Sequence, residues 1–385
     1  MDVENPSDHV HWVELFFDLI HVVTIFLLGN YLSHHLDWNG VWVYTALYLA
    51  VFYAWADSSI YNSLFLSTDI PHRIIMAVQI VTAMFMAASL NSVTGDGWPY
   101  FALAYAANRA LTALLYWRAR NMQGAATSLA YEQGRNFFVI AAVFASSAVL
   151  PRPLAYWVFG AGVAAIQLQY MLPGIGTLRF QQFVPRLGHV SERFGLIMLI
   201  LLGEGFFKLV VTLSDKGIYK AEAATLFNLA FGGLSLFALA WVYFDSVGNA
   251  RPKSRDLRTL LLYWFAHILV MWSAVSIGVA LAGEVYVGFW EPYPVGYAAV
   301  GAVALMLFLA SIWVLQTQVE GRDNTRRHAH GWVRLFGIAM MVVQLALLGQ
   351  LPAILGNLIF CIALFAQVLW PLATAVRELK AEDLP

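Results

Sequence analysis

Four ionisable side chains stand at helical spacing where the chain first turns apolar: His11, Glu14, Asp18 and His21, within His11-Trp12-Val13-Glu14-Leu15-Phe16-Phe17-Asp18-Leu19-Ile20-His21. At about 100° per residue they occupy one helical sector of roughly 80°. Glu14 and Asp18 repel one another at i, i+4, so the pair reads as a proton acceptor working near neutral pH. Halfway along the chain a second stretch begins in the same way, His189-Val190-Ser191-Glu192-Arg193-Phe194-Gly195, and runs on through Gly203-Glu204-Gly205 to Lys208. Glu204 lies about 22 Å along a helix from His189, deep enough in an apolar run to be a third proton-handling acid. Glu204 and Lys208 at i, i+4 can instead neutralise one another. The flanking Gly203 and Gly205 imply close approach of another helix. The two His-x-x-Glu pairs, His11 with Glu14 and His189 with Glu192, would on facing helices offer two imidazoles and two carboxylates, a ligand set for iron, manganese or zinc. The same spacing also arises from helix caps.

Arg109, beside Asn108, falls in the middle of another apolar run and needs a carboxylate from elsewhere; Asp18 and Glu204 are the deep acids available. With His189, Glu192 and Arg193, and with Trp55 and Tyr243 among the deep aromatics, it makes a set that could bind a substrate. The deep rings Tyr53, Trp55, Trp241, Tyr243, Tyr263 and Trp264 suit a pocket for a cation or an apolar ligand, and equally suit packing. Asp57 and Asp245 read as helix-end residues, and Gln79 and His267 as interhelical hydrogen-bond partners. No His-Glu-x-x-His, phosphate-binding loop or dinucleotide fingerprint occurs, so zinc peptidase, nucleotide-driven pump and soluble-type oxidoreductase chemistry have no support, and no cofactor is named. The single cysteine, Cys361, excludes an internal disulfide.

The elements that position these groups follow from composition. Of 385 residues, 60% are hydrophobic and 12% charged, with a mean hydropathy of +0.67, which places the chain in a lipid bilayer. A net charge of −1 carries no message about nucleic acid. The first ten residues lack a basic n-region and a small-residue cleavage site, so the first span is expected to be retained. Apolar windows predict twelve spans, near 12-33, 40-60, 72-92, 98-118, 135-151, 153-172, 190-213, 223-247, 258-282, 293-316, 332-350 and 352-376. The fold class is therefore all-α, a polytopic transmembrane helix bundle. On this count every rim Lys or Arg except Arg152, Lys216 and Lys220 lies on one side, which places both termini in the cytoplasm of a cell-membrane protein. The one-sided set includes Arg179, Arg322 and Arg334. His11-x-x-Glu14 with His189-x-x-Glu192, Tyr53-Ala54-Trp55-Ala56-Asp57-Ser58 with Trp241-Val242-Tyr243-Phe244-Asp245-Ser246, and Arg73 with Arg258 recur in order at a nearly fixed offset. They predict two parallel six-helix repeats, residues 1-180 and 181-385.

Glu14-Leu15-Phe16-Phe17-Asp18-Leu19, then Asn62 with Asp69 and Arg73, then His189-x-x-Glu192-Arg193-Phe194-Gly195-Leu196 and Leu202-Gly203-Glu204, resemble the motifs of the low temperature requirement protein A family. The chain departs from that pattern at His21 and in a less acidic Asn62 to Arg73 segment. The resemblance implies a multi-pass membrane protein. Twelve spans, two parallel halves and acids at several depths predict a proton-coupled secondary transporter of a small solute. The alternative is an intramembrane enzyme acting by acid catalysis on a lipophilic isoprenoid or lipid in an aromatic-lined pocket.

Overall fold

The computed structural model describes residues 10–65, 67, 69–121, 126–171, 185–320 and 324–382. Among these residues the long elements are all α-helices, twelve of them: α1 (Trp12–His34), α2 (Trp38–Leu64), α3 (Ile70–Ser89), α4 (Trp98–Ala119), α5 (Ala126–Ser147), α6 (Leu154–Met171), α7 (Leu187–Lys216), α8 (Ala223–Ser246), α9 (Leu257–Glu284), α10 (Val295–Gln318), α11 (Asn324–Ala346) and α12 (Ala353–Glu382). Each coincides with one expected apolar window. The helices overrun those windows where polar residues continue the periodicity: α5 begins at Ala126 and α11 at Asn324, well before the apolar runs at 135 and 332. Arg179 and Arg322 lie outside the described residues, as does the expected boundary between the two halves.

Local chemistry sets the helix ends. Asp69 caps α3 by accepting the His72 N–H at 3.1 Å, with Pro71 in the first turn, and Asp256 caps α9 by accepting the Thr259 N–H at 2.9 Å. Both carboxylates lie outside the apolar spans and are held below the usual range. For Asp256 the Thr259 N–H is the main cause. For Asp69 desolvation opposes, and the His72 N–H, the Ser67 hydroxyl and the Arg118 guanidinium overcome it. Gly217, at φ 86°, supplies the left-handed turn that ends α7.

Among the described residues seven helices are long and apolar enough to cross a bilayer: α1, α3, α7, α8, α9, α10 and α12. The outward faces carry large apolar side chains such as Phe85, Val139, Trp157 and Val210. In water such faces would aggregate; in lipid they are the solvated surface. The chain is a multi-pass membrane protein. Of the other five, α6 and α11 hold shorter apolar stretches, Leu154–Gln169 and Gly331–Ala346, and α2 and α4 carry polar and charged residues turned inward, as at Asp57 and Asn62 of α2 and Asn108 and Arg109 of α4.

The helices pack as two compact units. The first runs to Tyr31 and resumes over Val43–Arg193, taking in α3 to α6, most of α1 and α2, and the start of α7. The second takes Leu32–Trp42 and everything from Phe194 onward. Consecutive helices are neighbours in each, α3 to α6 in the first and α8 to α12 in the second. In the first unit Trp98, Tyr105, Phe144 and Phe159 form an aromatic cluster with ring centroids 4.7–5.1 Å apart. In the second, Gly205 of α7 meets α9 closely: a Cβ on Gly278 would stand 3.6 Å from Gly205 Cα. The expected close approach therefore holds at Gly205, whereas a Cβ on Gly203 would meet nothing within 4 Å. Arg334, read from sequence as a rim charge, is buried in this unit. Its Nη1 donates to Gln367 Oε1 at 2.8 Å and its Nη2 to Ser246 Oγ at 2.9 Å.

Candidate functional site: buried acid–base pairs of the first unit

The acidic face of α1 is turned into protein. Glu14 and Asp18 are buried one turn apart, and His21 is buried a turn further on, its Nδ1 held 2.8 Å from Phe17 O. α7 supplies the bases. His189 Nε2 stands 2.9 Å from Glu14 Oε2, and His189 Nδ1 stands 2.8 Å from Ser63 Oγ of α2. A carboxylate only accepts, so Nε2 carries the proton shared with Glu14. Nδ1 then accepts from the Ser63 hydroxyl when the ring is neutral and donates to it when the ring is charged. Four residues on, one helical turn, Arg193 embraces Asp18 from two sides: Nη2 donates to Oδ1 and Nε to Oδ2 at 3.3 Å. Trp55 of α2 adds a third donor, Nε1 to Asp18 Oδ1 at 2.6 Å, and its ring lies 5.6 Å from the guanidinium carbon. Arg193 Nη1 is 3.9 Å from Glu14 Oε2, so the two pairs form one patch of charge.

A third pair lies between α2 and α4. Arg109 donates from Nη1 to Asp57 Oδ2 at 2.7 Å and from Nη2 to Ala54 O and Asn108 Oδ1 at 2.7 and 2.6 Å. The rings of Tyr105 and Phe137 lie 5.3 and 5.9 Å from its guanidinium carbon. From α6, Gln167 Nε2 reaches both Asp57 oxygens at 3.3 Å. The partner expected for Arg109 was Asp18 or Glu204; it is Asp57. Asp57 is correspondingly no helix-end residue: α2 continues to Leu64, and the carboxylate is 1% exposed. Asp245 does fit that reading. It is exposed beside the last residue of α8 and accepts from Trp241 Nε1 at 2.6 Å. Gln79 of α3 ties three helices together, donating to Ser58 Oγ at 3.2 Å and Thr112 Oγ1 at 3.0 Å. His267, expected to bridge helices, bonds within its own at Tyr263 O and stacks on Phe194.

Beside the Asp57 pair is a cavity of about 550 Å³ whose walls include Leu47, Tyr53, Trp98, Tyr156, Phe159 and Gln167. Its lining is apolar apart from a few groups, and Gln167 joins it to the buried carboxylate.

Of the residues read from sequence, the structure therefore gathers Glu14, Asp18, Trp55, His189 and Arg193, and places Arg109 in a separate pair of the same unit. Glu192, one residue before Arg193, is half-buried. Glu204 and Lys208, both half-buried, and fully buried Tyr243 belong to the second unit. The two His-x-x-Glu motifs do not converge as a four-ligand set. Glu14 pairs with His189, while His11 Nδ1 accepts the Val13 N–H at 3.3 Å at the start of α1. Among the described residues no group of three or more His, Cys, Asp or Glu is arranged to hold a metal. Ser63, Gln167 and, in the second unit, Glu284 escaped the sequence reading. For Gln167 a polar residue inside an apolar run was the available signal; Ser63 and Glu284 lie just beyond the windows that end at 60 and 282.

The family model described as bacterial low temperature requirement A protein (LtrA) matches residues 9–369, nearly the whole chain. No curated protein matches.

Proposed function

The chain belongs to the low temperature requirement A family, and from that premise and its buried acid–base pairs we propose that it is a proton-coupled secondary transporter of a small solute in the cell membrane. The observation that carries this reading is the Glu14·His189 contact fused to the Asp18·Arg193 pair. Arg193 lies within reach of both acids, so a proton delivered to Glu14 loosens its contact with His189 and biases Arg193 toward Asp18. Such an exchange of partners between α1 and α7 is what couples a proton to a helix movement. In this account Glu204 is a further coupling acid on α7, and Arg109, Glu192, Trp55 and Tyr243 contribute to substrate binding. The twelve helices serve as twelve spans in two parallel repeats, residues 1-180 and 181-385, with both termini cytoplasmic.

Untargeted mass spectrometry of small molecules retained by the purified protein, wild type against Glu14→Gln, names the cargo to test. In proteoliposomes holding a pH-sensitive dye, that solute should drive proton movement with wild type and none with Glu14→Gln. Unchanged proton-linked uptake by the variant refutes the assignment. The aromatic cavity beside Asp57 favours one other reading, an intramembrane enzyme for a lipophilic substrate. A lipophilic compound retained unconverted by Asp57→Asn and as product by wild type would establish that reading instead.

A further inference from the structure

We propose that Glu284, far from the α1 and α7 pairs in sequence, is a second proton-binding site: a neutral carboxylic acid whose O–H is donated to Asn357 Oδ1. Glu284 ends α9 and is 1% exposed, and among the described residues neither of its carboxyl oxygens accepts a hydrogen bond of normal geometry. The Asn357 side chain of α12 lies beside the carboxyl, and its own Oδ1 is also unpartnered. Three buried acceptors, none with a well-formed hydrogen bond among the described residues, thus face one corner of the second unit.

The orientation of the amides follows from hydrogen bonding. Asn228 of α8 donates its Nδ2 to Glu284 O and to Val287 O, both at 2.9 Å, which turns its Oδ1 toward α12. Asn357 Nδ2 donates to that Oδ1 at 3.4 Å, so Asn357 Oδ1 is left as an acceptor. One proton on Glu284 converts an unsatisfied acceptor into the missing donor.

Electrostatics point the same way. Glu284 stands at the C-terminal end of its helix, where the macrodipole opposes a negative charge. An ionised carboxylate buried without a cation is far costlier than a neutral acid. Among the described residues the surrounding elements supply no cation to pair with it. α10 has no charged residue, and on α8 Asp245 is exposed at the opposite end. On α12 the nearest titratable group is Cys361, one turn beyond Asn357. α7 carries Glu204 and Lys208, and no ion pair joins either to Glu284. After α9, Tyr286 donates to Thr212 O and Leu213 O, and Glu291 accepts the Gly288 N–H.

Infrared difference spectroscopy of the purified full chain, wild type against Glu284→Gln at neutral pH in H2O and D2O, tests this. Wild type should show a carboxylic acid C=O band that is missing from Glu284→Gln and moves to lower frequency in D2O. Asn357→Ala should keep the band but shift it to higher frequency, because the hydrogen bond to Oδ1 is lost. A difference spectrum containing only carboxylate bands, or bands that follow sodium concentration, overturns the proposal. Should Glu284→Gln fail to fold, an acid band left unshifted by Asn357→Ala overturns it as well.

Discussion

Asp18→Asn leaves the geometry of the first unit almost unchanged and removes one charge, which makes it the sharpest test of the pairing between α1 and α7. Asp18 and Arg193 are both fully buried, and Asp18 accepts from Arg193 Nη2, Arg193 Nε and Trp55 Nε1. The neutral amide retains one acceptor oxygen and presents an NH2 to the guanidinium. Arg193 then keeps its charge, since a guanidinium does not deprotonate in a protein. Among the described residues, Glu14, 3.9 Å away and engaged with His189, is left to balance it. Breaking a buried pair in this way costs about 3–5 kcal/mol. Arg193→Met should cost a similar amount by stranding Asp18. The double variant removes both charges, so its loss should fall well short of the sum, with a coupling of about 0.5–3 kcal/mol. Reversible unfolding of the detergent-solubilised protein, followed by tryptophan fluorescence, measures all three variants. Additive losses, or a loss under about 1 kcal/mol for Asp18→Asn, as expected of an exposed pair, would refute the claim that these charges are desolvated partners.

Further expectations follow from cap and cavity. A folded carboxylate held below its unfolded value stabilises above the ordinary carboxylate range and loses that contribution as pH falls through the folded value. The Asp256 and Asp69 caps should therefore support thermal stability at neutral pH and fade below about pH 4. Asp256→Asn, which still caps, should remove that acid-dependent part for α9, and a melting curve against pH that stays unaltered refutes it. Gly160 borders the cavity, and a Cβ there would meet nothing within 4 Å. Gly160→Phe should fill the chamber with thermal stability unchanged or raised and abolish retention of any lipophilic compound, as mass spectrometry would read. A marked fall in melting temperature would show that the space is not open.

The helices were legible because apolar runs broken by Pro, Gly and charge are local signals; the partners were not, because pairing is decided across helices. Asp57 shows the difference. Ser58, Ser59, Asn62 and Ser63 made the window look finished, yet α2 runs to Leu64 because these polar groups are buried against protein rather than turned to water. Arg109 is 52 residues from Asp57 in sequence, and nothing in the spacing distinguishes Asp57 from Asp18 or Glu204 as its acceptor. Glu284 was lost for the opposite reason. The apolar window closed at 282, so a charge just beyond it drew no reading although the helix buries it. His189 and Glu14 were both identified, but within separate motifs. Only the packing of α7 against α1 and α2 converts two capping patterns into one acid–base contact.

Arg334 carries the same reasoning into the second unit, where a buried charge has neutral partners alone. Its guanidinium is bonded to Gln367 and to Ser246, the last residue of α8, so the C-terminal end of that helix helps to hold the positive charge. No carboxylate pairs with it among the described residues, and its Nε is unpartnered. Arg334→Met loses two charge-assisted hydrogen bonds, about 1.5–3 kcal/mol each. It also releases a desolvation penalty of several kcal/mol. The two nearly cancel, so stability should stay within about 2 kcal/mol of wild type by the same unfolding assay. A loss as large as that for Asp18→Asn would mean that the end of α8 compensates the charge fully. If stability holds while proton-linked transport fails, the guanidinium is kept for its charge and not for the fold. A residue that costs stability to bury and is needed only for turnover belongs to the working surface of the protein.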